Sequence, residues 1–269
     1  MKYIFLLIGL CISFAPVRAQ EALPFSFITK INSSVSSFAV DNIGGLYIIT
    51  PENQLKKYNE KGDSVGVFNL VTKYGALSYV DVQNPWKAIL YYQNFSTIVL
   101  LDKYLNVSTS INLRKQNIFR VKAVTASYDN NIWLFDEQDN KLKKIDDNGK
   151  LLSETVDFRL LFDSAPDPEK IIDRDGLVYL YDNQKGIYLF DYYGSFKTKL
   201  SFLHWDNMEV IGKTIYGFDK INLYKYVPPV PDLITISLPP ELQNNSLIKL
   251  NNHKLYGLKD NELSIYSLQ

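Results

Sequence analysis

The sequence predicts an all-β fold, a six-bladed β-propeller with four antiparallel strands in each blade. Three observations support this prediction. A short aromatic strand recurs six times at intervals of about forty residues, as in propeller repeats. Turn-forming residues interrupt the chain about every ten positions, which is too often for long helices. The recurring strand is apolar on both faces, and a blade packed between two neighbours has both faces covered.

The recurring strand places an aliphatic residue and then an aromatic residue ahead of further apolar positions and a polar end. Two alternatives remain open at this point, a seven-bladed ring with one eroded blade and a β fold that is not a propeller. The six copies, of which the second is the weakest, are Leu46-Tyr47-Ile48-Ile49-Thr50, Ile89-Leu90-Tyr91-Tyr92-Gln93, Ile132-Trp133-Leu134-Phe135-Asp136, Val178-Tyr179-Leu180-Tyr181-Asp182, Ile215-Tyr216-Gly217-Phe218-Asp219 and Leu255-Tyr256-Gly257-Leu258-Lys259.

Three further strands accompany each copy of the aromatic strand. One precedes it, as residues 171–173 precede the fourth copy, and another follows it after a tight polar loop. The last strand follows a turn that opens with Asn or Asp and carries Gly, such as Asp146-Asp147-Asn148-Gly149, because Gly accepts positive φ. In the third unit we predict this last strand over residues 151–158.

The two ends of the mature chain predict how the ring closes. The sixth unit stops at Ser264-Ile265-Tyr266-Ser267-Leu268, in its third strand, so its outer strand is missing. Residues 24–30 form a predicted strand that belongs to no unit of its own. We therefore predict that the N-terminal strand completes the last blade, because this pairing closes the ring and removes an exposed edge.

One unit carries a family resemblance. Ile172-Asp173-Arg174-Asp175-Gly176 and the aromatic strand that ends at Asp182 are followed by Phe190-Asp191 and then by Gly194. This order of strand, Gly-bearing turn, aromatic strand and Asp before Gly resembles the six-bladed propellers of the NHL and TolB-like superfamily. The resemblance covers nearly all of the mature chain and implies an architecture rather than a named protein.

The N-terminus predicts export. Lys2, an apolar run from Tyr3 to Phe14, and small residues at Val17 and Ala19 describe a secretory signal peptide over residues 1–19, with cleavage before Gln20. The alternative is a membrane anchor, but the apolar run is short for one. Residues 20–269 then form a single β-propeller domain in the periplasm or outside the cell. Cleavage removes Cys11, which is the only cysteine.

Charge and composition limit the partners. The chain has 29 basic and 29 acidic residues, and cleavage removes Lys2 and Arg18 but no acid. A nearly neutral mature chain does not favour nucleic acid or an anionic membrane as partner. We expect a monomer without a transmembrane segment.

Candidate binding residues lie on the loops of one ring face, because function in a propeller is carried by loops on a rigid scaffold. His204 and Trp205 form the strongest local cluster, since Trp can stack on a sugar or peptide; the alternative is that Trp205 is buried. Apolar residues near Arg159 and Phe162 either grip a partner or fill a gap between blades. The full set of candidates is Trp205, His204, Phe162, Arg159, Tyr74, Arg120 and Phe95.

The sequence contains no catalytic signature. It has no Gly-x-Ser-x-Gly motif, and two His residues are too few for a His-rich metal site. We predict no cofactor, although a channel Ca²⁺ stays open as an alternative because acids lie on corresponding loops of successive blades. These acids are Asp136, Asp139, Asp182, Asp219 and Asp260.

The sequence therefore predicts an exported, non-enzymatic propeller that binds a protein, peptide or glycan in the cell envelope. The absence of catalytic groups and the abundance of Tyr and Asn in the loops favour this interpretation. The alternative is a metal-assisted hydrolase or lyase of the propeller type. The gluconolactonase-like propellers hold a metal through carboxylate and Asn side chains in the channel, but no residues of this sequence match theirs.

Overall fold

A computed structural model describes residues 25–31, 34–251 and 253–268. Its strands form six four-stranded antiparallel sheets, which confirms the predicted six-bladed propeller. The predicted signal peptide over residues 1–19 lies outside the described residues and stays a prediction. No helix in the described ranges combines the length and the apolar character needed to cross a membrane.

The first three blades follow one another directly along the chain. Blade one contains β2 (Ser37–Val40), β3 (Leu46–Ile49), β4 (Leu55–Tyr58) and β5 (Ser64–Phe68). Blade two contains β6 (Tyr79–Asn84), β7 (Lys87–Tyr92), β8 (Thr97–Asp102) and β9 (Val107–Asn112). Blade three contains β10 (Val121–Ala126), β11 (Ile132–Asp136), β12 (Lys141–Ile145) and β13 (Leu151–Glu154).

The last three blades complete the ring. Blade four contains β14 (Lys170–Arg174), β15 (Leu177–Asp182), β16 (Gly186–Asp191) and β17 (Phe196–Leu200). Blade five contains β18 (Asn207–Ile211), β19 (Thr214–Phe218), β20 (Asn222–Tyr226) and β21 (Leu233–Ser237). Blade six contains β22 (Leu247–Asn251), β23 (Lys254–Lys259), β24 (Glu262–Leu268) and β1 (Phe25–Ile31).

The ring closes through β1, as predicted. This strand pairs antiparallel with β24, with Phe25 opposite Leu268 and Ile31 opposite Leu263. The register shifts by one residue between Phe27 and Thr29, which is a β-bulge. The N-terminal strand therefore supplies the outer strand that the sixth unit lacks, and β24 does not end as an open edge.

Short helices lie in the connections between elements. The α-helix α1 spans Val71–Tyr74, between blades one and two. Single 3₁₀ turns span Gln93–Phe95, Leu113–Gln116, Phe158–Leu160 and Pro240–Leu242.

The hydrophobic core lies between adjacent blades. In β11, Trp133 and its neighbour Leu134 point to opposite faces, and both side chains are buried. Trp133 belongs to the apolar cluster that includes β15 of blade four, whereas Leu134 belongs to the cluster that includes β7 of blade two. This arrangement explains why the aromatic strands are apolar on both faces.

One strand is shorter than its sequence indicates. The strand predicted over residues 151–158 ends at Glu154, and Phe158 instead begins a 3₁₀ turn and is fully buried. The Asp157 side chain accepts a hydrogen bond from the amide of Arg159, a cap that favours the turn over an extended strand. Phe158 thereby fills the gap between blades three and four, where its ring stacks on Phe190.

Two ring faces and a channel follow from this strand order. We call the face that carries the loops between the second and third strands, together with the connections between blades, the connection face. We call the opposite face the turn face; it carries the loops between the first and second strands and between the third and fourth strands. The first strand of each blade faces the central channel.

Candidate functional site

The structure places Trp205 in the core, which corrects its assignment as an exposed binding residue. Its indole is 3% exposed and stacks on Phe202 and on Tyr224, with ring centroids 5.0 and 5.5 Å apart. Its amide donates to the Tyr181 hydroxyl, which donates to the Trp205 carbonyl, each at 2.8 Å. Trp205 thus packs between blades four and five, as the alternative interpretation held, and cannot reach a partner at the surface.

Tyr74 and Phe162 also contribute to packing. Tyr74 is buried in the cluster between blades one and two, with its ring centroid 5.2 Å from that of Tyr92. Phe162 is half-buried, and its ring contacts those of Tyr188 and Phe196 at 4.9 and 5.0 Å. Both side chains fill gaps between strands, so they are positioning residues at most.

The other four candidates are exposed on four separate segments of the connection face. Arg159 is held by Asp157 through bonds of 2.9 and 3.0 Å from its Nε, and Arg120 lies 3.7 Å from Glu137. Phe95 is exposed in the loop between β7 and β8, and His204 is exposed between β17 and β18. In the described part of the chain no hydrogen bond or ion pair joins any two of them, so the structure does not assemble them into one site.

Four of the five loop acids accept hydrogen bonds from other groups of the protein. Asp136 and Asp139 both accept hydrogen bonds from Lys143, with 2.7 Å between Lys143 Nζ and Asp136 Oδ2. Asp182 accepts from backbone amides, and Asp219 accepts from the Tyr224 hydroxyl at 2.6 Å. Within residues 25–31, 34–251 and 253–268, no group of three or more His, Cys, Asp or Glu side chains is arranged to hold a metal ion.

A different site lies on the turn face, where blades one and two meet. Trp86, Tyr104 and Ile43 project from three separate loops and are 66%, 57% and 63% exposed. Together they border a groove of about 640 Å³, which we call the turn-face groove. Its lining is completed by Asp41, Gly45, Lys57, Asn59, Glu60, Lys61, Asp63, Val65, Pro85 and Lys103.

Buried contacts between the two blades hold the groove in shape. Lys57 on β4 of blade one donates to the carbonyls of Lys103 and Pro85 in blade two, at 2.9 and 3.4 Å. Burial lowers the pKa of Lys57, and the nearby Asp41 carboxylate opposes this effect. A single buried ammonium group therefore fixes the two loops that carry Trp86 and Tyr104.

The backbones of blades one and two also approach closely beside the groove. Gly66 on β5 faces the carbonyl of Tyr104, and a Cβ at position 66 would lie 2.7 Å from that oxygen. No side chain larger than hydrogen fits there unless the backbone shifts. The sequence therefore places Gly where the Tyr104 turn of blade two must lie against blade one.

Polar contacts orient the aromatic rim of the groove. The Asn84 side chain accepts from the Trp86 amide at 2.9 Å and donates to Asn130 of blade three at 3.1 Å. The Lys103 ammonium lies 4.9 Å from the ring centroids of both Trp86 and Tyr104, which is cation–π distance. The groove thus offers two fixed aromatic rings beside a charge.

Sequence reasoning missed this groove because its residues come from two blades and four loops. One signal was present in Asn84-Pro85-Trp86, a tight turn that exposes a Trp. A Trp in such a turn has no neighbouring strand to cover it, whereas Trp205 lies in a longer connection that folds back onto a blade.

The central channel is charged, and its narrow part has more cations than acids. A narrow cavity of about 90 Å³ is lined by Lys170, Arg174, Lys249, Asp81 and Glu209, among others. A wider cavity of about 300 Å³ shares Lys170 and Lys249 with it and extends to loops of the connection face. This lining differs from a carboxylate cage for a metal ion.

The channel and the groove occur in a fold that many known proteins share. No family model matches the sequence, and no curated protein matches it. Virginiamycin B lyase from Staphylococcus aureus has 14% identity over 91% of this chain and 89% of its own, with a TM-score of 0.59. BamB from Moraxella catarrhalis has 14% identity over 87% of this chain and 82% of its own, with a TM-score of 0.50.

PorZ from Porphyromonas gingivalis is described as an essential bacterial surface component of the type-IX secretion system. It has 12% identity to this chain and covers 87% of it, with a TM-score of 0.58, although the match spans only 31% of PorZ. At such identities these similarities show the fold alone. They support the β-propeller architecture, and they include both an enzyme and a secretion component with this fold.

Proposed function

We propose that this chain is an exported, non-enzymatic propeller that binds a partner macromolecule of the cell envelope through the turn-face groove. The observation that carries the proposal is the exposure of Trp86 and Tyr104, which both border one groove. Large exposed aromatic side chains in a formed groove are the residue types that dominate binding energy at interfaces. On a monomer, an exposed apolar patch of this kind marks an interaction site.

The chemistry of the groove favours a polypeptide partner over a glycan. Ile43 and Val65 add aliphatic surface beside the aromatic rings, which suits apolar side chains of a partner. The rim carries both charge signs, with Glu60 and Asp63 opposite Lys61 and Lys103. Mixed charges of this kind steer and orient a polypeptide that carries complementary charges.

Two observations support the location. The chain begins with a predicted signal peptide over residues 1–19. One structural neighbour, PorZ, is a bacterial surface component by its description. An exported propeller would meet partners in the periplasm or outside the cell.

Photo-crosslinking tests the proposal. A benzoylphenylalanine at position 104 is expected to crosslink an envelope polypeptide, because the ring there borders the groove. The matched control carries the same group at position 160, where Leu160 is 80% exposed on the connection face. Crosslinking that is equal at both positions, or absent at position 104, would count against the groove.

A metal-assisted hydrolase or lyase is the second candidate, and the fold similarity to virginiamycin B lyase favours it. It requires carboxylates that are free to bind a cation, whereas Asp136 and Asp139 are paired with Lys143. Elemental analysis of the purified protein distinguishes the candidates, because a stoichiometric bound metal would support the enzyme.

A further inference from the structure

In the narrow cavity of the central channel, the ammonium group of Lys170 has a hydrogen-bond acceptor for each of its three donors. Lys170 Nζ donates to Glu209 Oε1 at 2.9 Å, to Asn207 Oδ1 at 3.0 Å and to the Met208 carbonyl at 2.6 Å. Asn207 continues the network to the Ile248 carbonyl at 2.7 Å. Three acceptors use the full donor capacity of an ammonium group, so Lys170 and Glu209 form a complete pair.

Two other cations that line the same cavity, Lys249 and Arg174, form no ion pair in the described part of the chain. Lys249 Nζ makes no hydrogen bond or ion pair within the part of the chain that the structure describes. Arg174 donates from Nη2 to Gln83 Oε1 at 3.0 Å, but its Nε is buried without an acceptor. Lys249 is half-buried, and a charged donor that loses water without gaining an acceptor is destabilised. Both side chains line the cavity, so a ligand there could accept hydrogen bonds from the Lys249 ammonium and from the guanidinium of Arg174.

The acids of the cavity do not fill this role. Glu209 is engaged by Lys170. Asp81 accepts from the Gln83 amide at 2.7 Å, from the Thr125 hydroxyl at 2.5 Å and from the Ala126 amide at 2.9 Å. Its carboxylate is therefore committed to the strands of blades two and three.

The net charge of the narrow cavity indicates the charge of a ligand that would suit it. Lys170, Arg174 and Lys249 are three cations, whereas Asp81 and Glu209 are two anions. The lining therefore carries one positive charge in excess, which a single negative charge balances. A monoanionic carboxylate matches this excess, and a phosphate dianion would exceed it.

We propose that the channel binds a small molecule through a carboxylate group seated between Lys249 and Arg174. The planar guanidinium and the ammonium supply the N–H donors that a carboxylate accepts. The wider cavity above carries the carboxylates of Glu169 and Asp206, so it takes a part of the ligand that bears no negative charge. The molecule enters from the connection face, so this site is separate from the turn-face groove.

The electrostatic state of Lys249 agrees with this assignment. Burial lowers the pKa of Lys249, and the Lys170 ammonium lowers it further, while Glu209 and Asp81 oppose both effects. A bound carboxylate would raise the pKa again by stabilising the charged form. A bound carboxylate would thus offset the unfavourable burial of the Lys249 ammonium group.

Thermal unfolding in the presence of simple anions tests the proposal with the full mature protein. Acetate and propionate, compared with chloride at equal ionic strength, are expected to raise the melting temperature in a saturable manner. Lys249→Met removes the charge while keeping most of the side-chain volume, and it should weaken acetate binding at least tenfold. The matched control is Lys103→Met on the turn face, which should bind acetate as the wild type does.

A second variant tests the same site independently, in case the first variant does not fold. Arg174→Gln should likewise weaken acetate binding at least tenfold, and far-UV circular dichroism confirms that each variant keeps the β fold. An equal response of wild type and Lys249→Met to acetate would overturn the proposal, as would the absence of any saturable response in the wild type. Phosphate binding that is tighter than acetate binding would overturn the assignment to a carboxylate.

Discussion

The indole of Trp205 lies directly over Gly217, and no side chain at position 217 would leave it room. A Cβ built on Gly217 would lie 2.1 Å from Trp205 Cδ2, far inside van der Waals contact. Gly217 belongs to β19 of blade five, and Trp205 is hydrogen-bonded to Tyr181 on β15 of blade four. The contact between Trp205 and Gly217 therefore joins blades four and five. Gly217, in the aromatic strand of the fifth unit, thus leaves the space that Trp205 of the preceding connection fills.

Gly217→Ala should destabilise the protein by about 1–3 kcal/mol or more, because the added methyl overlaps a buried ring that is itself held on both sides. Urea unfolding measures this cost. Trp205→Ala alone should cost about 3–5 kcal/mol through the cavity that it leaves. In the Trp205→Ala background, Gly217→Ala should cost much less, because the overlapping ring is gone. Additive costs would show that the two residues do not compete for space.

Lys57→Met should destabilise the seam between blades one and two by about 1–3 kcal/mol, because the buried carbonyl of Lys103 loses its donor. The urea midpoint reports this loss. The adjacent residue Lys56, which has the opposite orientation on β4, is the matched control, and Lys56→Met should change stability by less than about 0.5 kcal/mol. Equal effects of the two variants would contradict the role given to Lys57.

Asp173 should impose a pH dependence on stability. Its carboxylate accepts from Ser127, Trp133 and Tyr128 at 2.9, 3.0 and 3.3 Å, but burial raises its pKa above the ordinary value of 3.8. Between 3.8 and the raised pKa, the folded chain holds a proton that the unfolded chain has lost. This contribution to stability is present below 3.8 and is lost as pH rises through the folded pKa.

Asp173→Asn removes that titration while keeping one acceptor oxygen. The unfolding free energy of the variant, minus that of the wild type, should therefore increase as pH rises from below 3.8 to neutrality. Urea unfolding across this range at constant ionic strength measures the difference. A difference that is constant, or that decreases with pH, would show that burial does not raise the pKa of this group.

Removal of β1 should open the ring. A chain that begins after Ile31 leaves β24 as an unpaired edge. It also exposes the parts of two core clusters against which Phe25 and Ile31 pack. We expect a lower melting temperature and association through the exposed edge, measured by light scattering after size-exclusion chromatography. A synthetic peptide of residues 24–31 should restore the monomer. A truncated chain as stable and monomeric as the full one would contradict closure through β1.

Periodic features of the fold were predictable from sequence because each depends on residues close together in the chain. The apolar character of Ile132-Trp133-Leu134-Phe135 indicates two covered faces, and both faces are buried. The unpaired N-terminal strand and the missing outer strand of the last unit together predicted the pairing of β1 with β24.

Contacts between blades were not predictable, because they join residues from separate repeats. Trp205 is a suitable surface binder by residue type, and only the space over Gly217 shows that it is buried. Trp86 was overlooked for the converse reason, since its exposure depends on a tight turn beyond which no strand covers it. The unpaired donors of Lys249 and Arg174 depend on the side chains that strands of five different blades place around one channel.

The affinity of the groove for a partner identified by crosslinking tests the central claim most directly. Trp86→Ala should weaken binding of that polypeptide at least tenfold, as for an aromatic residue at the centre of an interface, without lowering the urea midpoint. Leu160→Ala, which removes an equally exposed apolar side chain from the connection face, should leave the affinity unchanged. Wild-type affinity in Trp86→Ala, or an equal loss in Leu160→Ala, would contradict binding through the turn-face groove.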